Sequence, residues 1–143
     1  MPNGPAFSAY RSSSNQSLTS GAWTKIQCQT EEFDTASAYD NATNYRFTPQ
    51  VAGYYQVSGN LYFTGTGITN VAAQIYKNGS SFKLGTSVAG ASSNEAGANV
   101  SALVYLNGTT DYVELYGLTI GTSPAAYAGQ NLTYFQGVLI RPA

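Results

Sequence analysis

Gly53-Tyr54-Tyr55-Gln56-Val57-Ser58-Gly59-Asn60-Leu61-Tyr62-Phe63-Thr64 is the longest run of clean alternation in the chain. Successive side chains of an extended strand point to opposite faces. Tyr55, Val57, Leu61 and Phe63 therefore share one face, which reads as core. Tyr54, Gln56, Ser58, Asn60 and Tyr62 share the other. That second face is polar and aromatic together, which is unusual for a plain solvent face. A period of two held this long predicts a β-strand.

The same signal recurs on both sides of this segment. Ala6 to Arg11 reads as a first strand and Ser12 to Gly21 as a Ser/Asn-rich loop. Trp23 to Thr30 reads as a second strand, and Glu31-Glu32-Phe33 continues it or begins a third. Phe33 to Tyr45 is turn-rich, and Pro49 closes the short extended piece Arg46-Phe47-Thr48. Val71 to Tyr76 and Ser81 to Leu84 flank Asn78-Gly79, the strongest short hairpin signal, because both central turn residues need positive φ. Ser87 to Gly97 is expected to be a small-residue loop. Asn99 to Leu106 is a strand that turns at Asn107-Gly108 into Tyr112 to Tyr116. Gly121 to Asn131 is expected to be a loop, and Leu132 to Ile140 a closing strand. No stretch of useful length has helical period. Eight to ten short strands at regular spacing predict an all-β sandwich or jelly roll.

Composition agrees. The 143 residues are 43% hydrophobic and 13% aromatic, with 12 Tyr and 6 Phe. A single domain of this size buries roughly 70% of its unfolded surface, enough for a core without disulfides. Charged residues are only 9%, against about 25% in an average soluble protein. The net charge is −1, and Arg11, Lys25, Lys77 and Lys83 are scattered. No clustered basic face for nucleic acid is present. No apolar run approaches the roughly 20 residues of a membrane span, and no secretory signal is visible. The single Cys28 has no intrachain partner and reads as a small buried hydrophobe made in a reducing compartment.

Several segments, in order, resemble the C1q/TNF family. Phe47, five residues, Gly53 and then Tyr55 follow the aromatic motif of C1q-like domains, although Val57 and Gly59 stand where that motif has further aromatics. Ala73 to Gly79 is similar to the family's Lys-Asn hairpin. Ser101-Ala102-Leu103-Val104-Tyr105-Leu106 and Phe135-Gln136-Gly137-Val138-Leu139-Ile140 resemble two of its strands, and Ala6-Phe7-Ser8-Ala9 its opening. The resemblance spans nearly the whole chain and implies a C1q/TNF-like jelly-roll sandwich of about ten strands, acting as a homotrimer. It implies one domain over residues 1–143, with a short arm over 1–5. It also implies a trimer seam made by Gln56, Ser58, Asn99, Ser101, Leu103, Phe135 and Leu139. Leu103, Phe135 and Leu139 would otherwise be exposed, and buried amides there need cross-chain hydrogen bonds.

Chemistry is conspicuous by its residue types. With no His, the commonest general base, the usual triads and His metal sites are excluded. The seven carboxylates read as surface solubilisers. Glu31, Glu32 and Asp34 are a candidate oxygen site for Ca²⁺ by analogy with some C1q-like domains, without an EF-hand loop. Gly65-Thr66-Gly67 reads as a turn. The sequons at Asn15, Asn41, Asn78 and Asn131 reflect composition. Tyr127 is the candidate contact for an outside partner.

The expected role is structural: no enzyme, no cofactor, and a homotrimer. C1q-like domains are widespread among tailed-bacteriophage proteins. A head that enters its first strand within about five residues, with no stalk, suggests a capsid decoration or cement protein whose partner is the major capsid protein. The Met1 to Pro5 arm would touch the shell, placing the protein on the virion after synthesis in the host cytoplasm. The alternatives are a receptor- or glycan-binding tip on a tail fibre, with Ser12 to Gly21, Ser87 to Gly97 and Gly121 to Asn131 as recognition loops, or a free trimeric ligand-binding protein.

Overall fold

The computed structural model describes residues 4–143; Met1, Pro2 and Asn3, most of the expected arm, lie outside the described residues. The described chain is all β and antiparallel. In order run β1 (Ala6–Tyr10), β2 (Gln16–Ser17), β3 (Thr24–Lys25), β4 (Thr30–Asp34), β5 (Tyr39–Asp40), β6 (Arg46–Phe47), β7 (Gly53–Lys77), β8 (Ser80–Leu106), β9 (Val113–Ala126) and β10 (Tyr134–Pro142). They form one ten-stranded sheet along β4-β1-β10-β7-β9-β6-β5, with β2 and β3 on β9 and β8 on β7.

Two long strands turn this sheet into two layers. In its first half, β7 pairs with β10 and with the second half of β8, for example Gln56 with Val138 and Leu103. In its second half it pairs with β9 and with the first half of β8, for example Gln74 with Tyr116 and Leu84. The register shifts between Thr64 and Ile68, and again before Asn70. Gly65 and Gly67 lie there, and Gly67 has φ +62. Such irregularities bend a strand and re-aim it. The sequence-predicted turn at Gly65-Gly67 is thus a bend within one strand. The two halves of β8 then close the side of the sandwich. A Cβ on Gly85 would sit 2.2 Å from the Asn99 carbonyl oxygen, so only glycine allows that contact.

The core lies between the layers. Tyr55, Val57, Leu61 and Phe63 are fully buried, as the alternation predicts. Phe7 stacks on Phe47 at 4.4 Å and on Tyr39 at 4.8 Å between ring centroids, and meets Phe135 edge-on at 5.0 Å. Cys28 is buried as expected, and burial pushes its thiol up to about 12. A thiol so rarely ionised is a poor nucleophile and metal ligand.

The hairpin at Asn78-Gly79 forms as predicted, with φ of 52° and 77°. Three other expectations change. Ser87 to Gly97 belongs to β8, pairing Ala89 with Asn70 and Glu95 with Thr64. Its Ala, Ser and Gly residues show no alternation, so partner β7 supplies its extended form. The first half of Gly121 to Asn131 likewise belongs to β9. Conversely, the expected Trp23 to Thr30 strand breaks up: Thr30 opens β4, and of the rest only the short β3, Thr24–Lys25, joins the sheet. Beyond it a side chain takes over the ladder's role, as the Gln27 N–H donates to Gln16 Oε1 at 2.8 Å.

The turn after β5 is held by Asp40, whose carboxylate accepts backbone N–H bonds from Ala42, Thr43 and Asn44. These bonds, with those from Thr43 and Ala42 foremost, hold its pKa at about 2, below the ordinary 3.8. A depressed carboxyl stabilises the fold above its unfolded pKa and loses that contribution as pH falls through the folded value. The melting temperature should therefore fall between about pH 4 and about pH 2. In Asp40→Asn this acid-induced fall should be smaller, as calorimetry across that range would read.

Candidate interaction face

The outer face of the β4-β1-β10-β7-β8 layer follows directly from cross-strand register. Tyr54 pairs with Tyr105, Gln56 with Leu103, Ser58 with Ser101 and Asn60 with Asn99. On the other side of β7, Gln136 pairs with Ser58 and Val138 with Gln56. Gln56, Ser58, Asn99, Ser101 and Leu103 therefore lie together on the outward face, where the sequence reading put them. The face has two regions. Around its centre Gln56 Nε2 donates to Ser101 Oγ at 2.6 Å and Gln136 Nε2 to Ser58 Oγ at 3.2 Å. Toward one end and along the β4 side it is apolar: Phe33, Tyr54, Leu103, Tyr105, Val138 and Ile140 are all exposed, Leu103 at 58% and Ile140 at 60%. Two hollows indent it. One of about 300 Å³ is lined by Phe33, Gln56, Ser58 and Val138 among others, and one of about 570 Å³ by Tyr54, Leu103 and Ile140 with the last three residues of the chain.

Phe135 and Leu139 are the corrections. They are 1% and 8% exposed and belong to the core. Phe135 lies across from Ala9 on β1 and Gly59 on β7, two small inward-facing residues that leave a slot for its ring. Leu139 lies across from the buried Tyr55. Strand β10 is therefore offset by one residue from the expected alternation, and one step flips every side chain to the opposite layer face. Gln136, Val138 and Ile140 take the outward positions. Their signal was present in sequence, since Phe135, Gly137 and Leu139 form an equally good inward set.

The acidic trio does not assemble. Glu32 accepts from Ser8 Oγ and from Gln130 Nε2, and these bonds hold its carboxyl below the usual range. Asp34 accepts from the backbone N–H of Ala36 and Tyr39. Burial, and then Asp34, raises Glu31. Among the described residues no three His, Cys, Asp or Glu side chains come together to hold a metal.

Tyr127 follows β9 directly. Its N–H donates to the Tyr62 carbonyl at 2.8 Å, and its ring meets Tyr62 at 6.3 Å. The Tyr62 hydroxyl donates to Glu95 Oε2 at 3.2 Å. That bond raises the hydroxyl's pKa. Tyr127 is thus partly committed to its own fold and still partly exposed.

The opposite layer carries a cluster that local sequence did not reveal. Glu114 is 1% exposed yet points outward from β9. Lys25 Nζ and Arg46 Nη2 each reach its Oε1 at 2.9 Å, from β3 and β6. Arg46 also lies over the Tyr112 ring at 3.9 Å, and Tyr76 stacks on Tyr116 at 3.7 Å. Three separate strands supply the charges, so only the assembled sheet brings them together. Removing one partner of a buried pair typically costs about 3–5 kcal/mol. Lys25 and Arg46 keep some contact with water, so Glu114→Gln should lie at the low end, about 3 kcal/mol in denaturant unfolding.

No family model matches the sequence, and no curated protein matches it. Solved structures do match in shape. The globular domain of a zebrafish complement 1qA protein superposes with a TM-score of 0.68 at 17% identity, covering 98% of this chain and 99% of that one. An Eiger TNF from S. frugiperda gives 0.72 at 9% identity, covering 99% and 95%. Murine APRIL gives 0.66 at 8% identity, covering 96% and 99%. The chain has the C1q/TNF-like jelly-roll fold over essentially its whole length.

Proposed function

We propose that the protein is a non-enzymatic homotrimer that works by binding. The observation that carries this reading is the set of exposed apolar side chains on the β10-β7-β8 face, with Leu103 and Val138 on either side of Gln56 and Ile140 toward one end. So much exposed apolar surface gathered on one face of a fold marks an interaction site. A threefold ring needs two different complementary patches on each protomer, since its contacts are heterologous. The edge strand β8 supplies the second, with Phe82, Leu84 and Val88 exposed along it. The side chains also favour binding over catalysis: there is no His, and Cys28 is sealed in the core.

The role we propose for this trimer is structural, as a decoration protein on a phage capsid that binds the major capsid protein. A symmetric, weakly charged trimer suits a threefold position on a shell, where each protomer meets an equivalent neighbour. The test is quantitative mass spectrometry of purified particles, counting this chain against the major capsid protein. Hundreds of copies per particle support decoration. A handful would instead place it at a tail tip, and complete absence would remove it from the virion.

A further inference from the structure

The chain contains three Asn-Gly pairs, of which Asn78-Gly79 and Asn107-Gly108 lie wholly within the described residues. An asparagine followed by glycine is prone to lose its amide, because a glycine without Cβ lets its backbone nitrogen approach the preceding side chain. These two pairs sit in very different surroundings.

Asn107 is locked. Its Oδ1 accepts the backbone N–H of Thr109, Thr110 and Asp111, each at 2.9 Å, and its Nδ2 donates to Thr110 Oγ1 at 2.9 Å. Gly108 is pressed against the chain at Val51-Ala52, where an added Cβ would lie 2.3 Å from the Ala52 nitrogen. Asn78 is exposed at a hairpin tip. Two bonds hold its side chain: Nδ2 donates to Asp111 Oδ1 at 2.8 Å, and Oδ1 accepts the Tyr112 N–H at 3.0 Å. Gly79 has open space around it apart from the Tyr112 hydroxyl.

We propose that Asn78 is a self-modification site of the folded protein, and that Asn107 is protected by its turn. The Gly79 nitrogen attacks Cγ of Asn78. The N–Cγ bond forms, the Cγ–Nδ2 bond breaks, and the Gly79 amide proton leaves with the side-chain nitrogen as ammonia. Water then opens the cyclic imide at either carbonyl, giving aspartate or isoaspartate. Ring closure at Asn78 releases two hydrogen bonds at an exposed tip. At Asn107 it releases four side-chain bonds and displaces a packed glycine.

The modification has a structural consequence. A donor to Asp111 becomes a carboxylate facing it, with Lys77 Nζ, 3.2 Å from Asp111 Oδ2, the neighbouring cation. The bond that ties the β7–β8 hairpin to the loop before β9 turns into a like-charge contact. Isoaspartate also lengthens the backbone in a turn that needs φ of 52° and 77° at its two central residues.

The test holds the full chain folded at mildly alkaline pH, and in parallel in denaturant, and follows amide loss and isoaspartate at both sites by peptide mass spectrometry. The expected result is several-fold faster conversion at Asn78 than at Asn107 in the folded protein, with comparable rates in denaturant. Equal rates in the folded protein, a faster Asn107, or no conversion at Asn78 would each overturn the proposal. Asn78→Asp should melt below the parent near neutral pH, with the gap closing once both carboxyls are protonated; an unchanged melting temperature would overturn the coupling to Asp111.

Discussion

Phe135→Ala should destabilise the protein by about 3–5 kcal/mol, the usual cost of deleting a buried phenylalanine and leaving a cavity. The ring is 1% exposed and packs edge-on against Phe7 at 5.0 Å and near Tyr39 at 6.2 Å. The slot around it is set by small residues, Ala9 and Gly59, which have no side chain to swing into the gap. Collapse is therefore limited, which favours the upper part of that range. Denaturant titration of the purified variant would read the loss as a lowered midpoint with an unchanged slope. A Phe135→Ala protein with full stability that had lost only its association would return this residue to the seam.

Leu103→Glu should act in the opposite way, leaving the fold intact and abolishing association. Leu103 is 58% exposed, so a charge there remains hydrated in the monomer and costs little. In the proposed trimer the same side chain is covered, and a buried unpaired carboxylate is strongly unfavourable. Sedimentation and light scattering should report a trimer for the parent and a monomer for the variant, with the same far-ultraviolet dichroism. A trimer that survived Leu103→Glu would move the contact off this face. The pair of substitutions separates core from seam on the two strands that flank β7, because one changes stability and the other changes mass.

Much of the architecture was legible locally. The alternation from Gly53 to Thr64 identified both a strand and its inward set, and Asn78-Gly79 located a hairpin, since positive φ at both turn positions is a local demand. The burial of Cys28 was readable from residue type. On the outward face, Gln56, Ser58, Asn99, Ser101 and Leu103 were placed correctly because their strands alternate without interruption. What failed did so for identifiable reasons. Strand β10 offers two acceptable sets, Phe135 with Leu139 or Gln136 with Val138 and Ile140, and nothing within the strand chooses between them. Ser87 to Gly97 has no alternation at all, so its strand character belongs to its neighbour.

By itself, then, the sequence determined an all-β chain, its Asn78-Gly79 hairpin turn, the inward set of the central strand and the absence of histidine chemistry. These depend on residue type and near neighbours, and side-chain direction and turn conformation are short-range properties. Only the tertiary structure decided that β7 and β8 each serve both layers and that Phe135 fills the space left by Ala9 and Gly59. It also decided that Lys25, Arg46 and Glu114 meet across three strands. Each of these depends on which strand lies beside which, a long-range pairing that no single segment encodes.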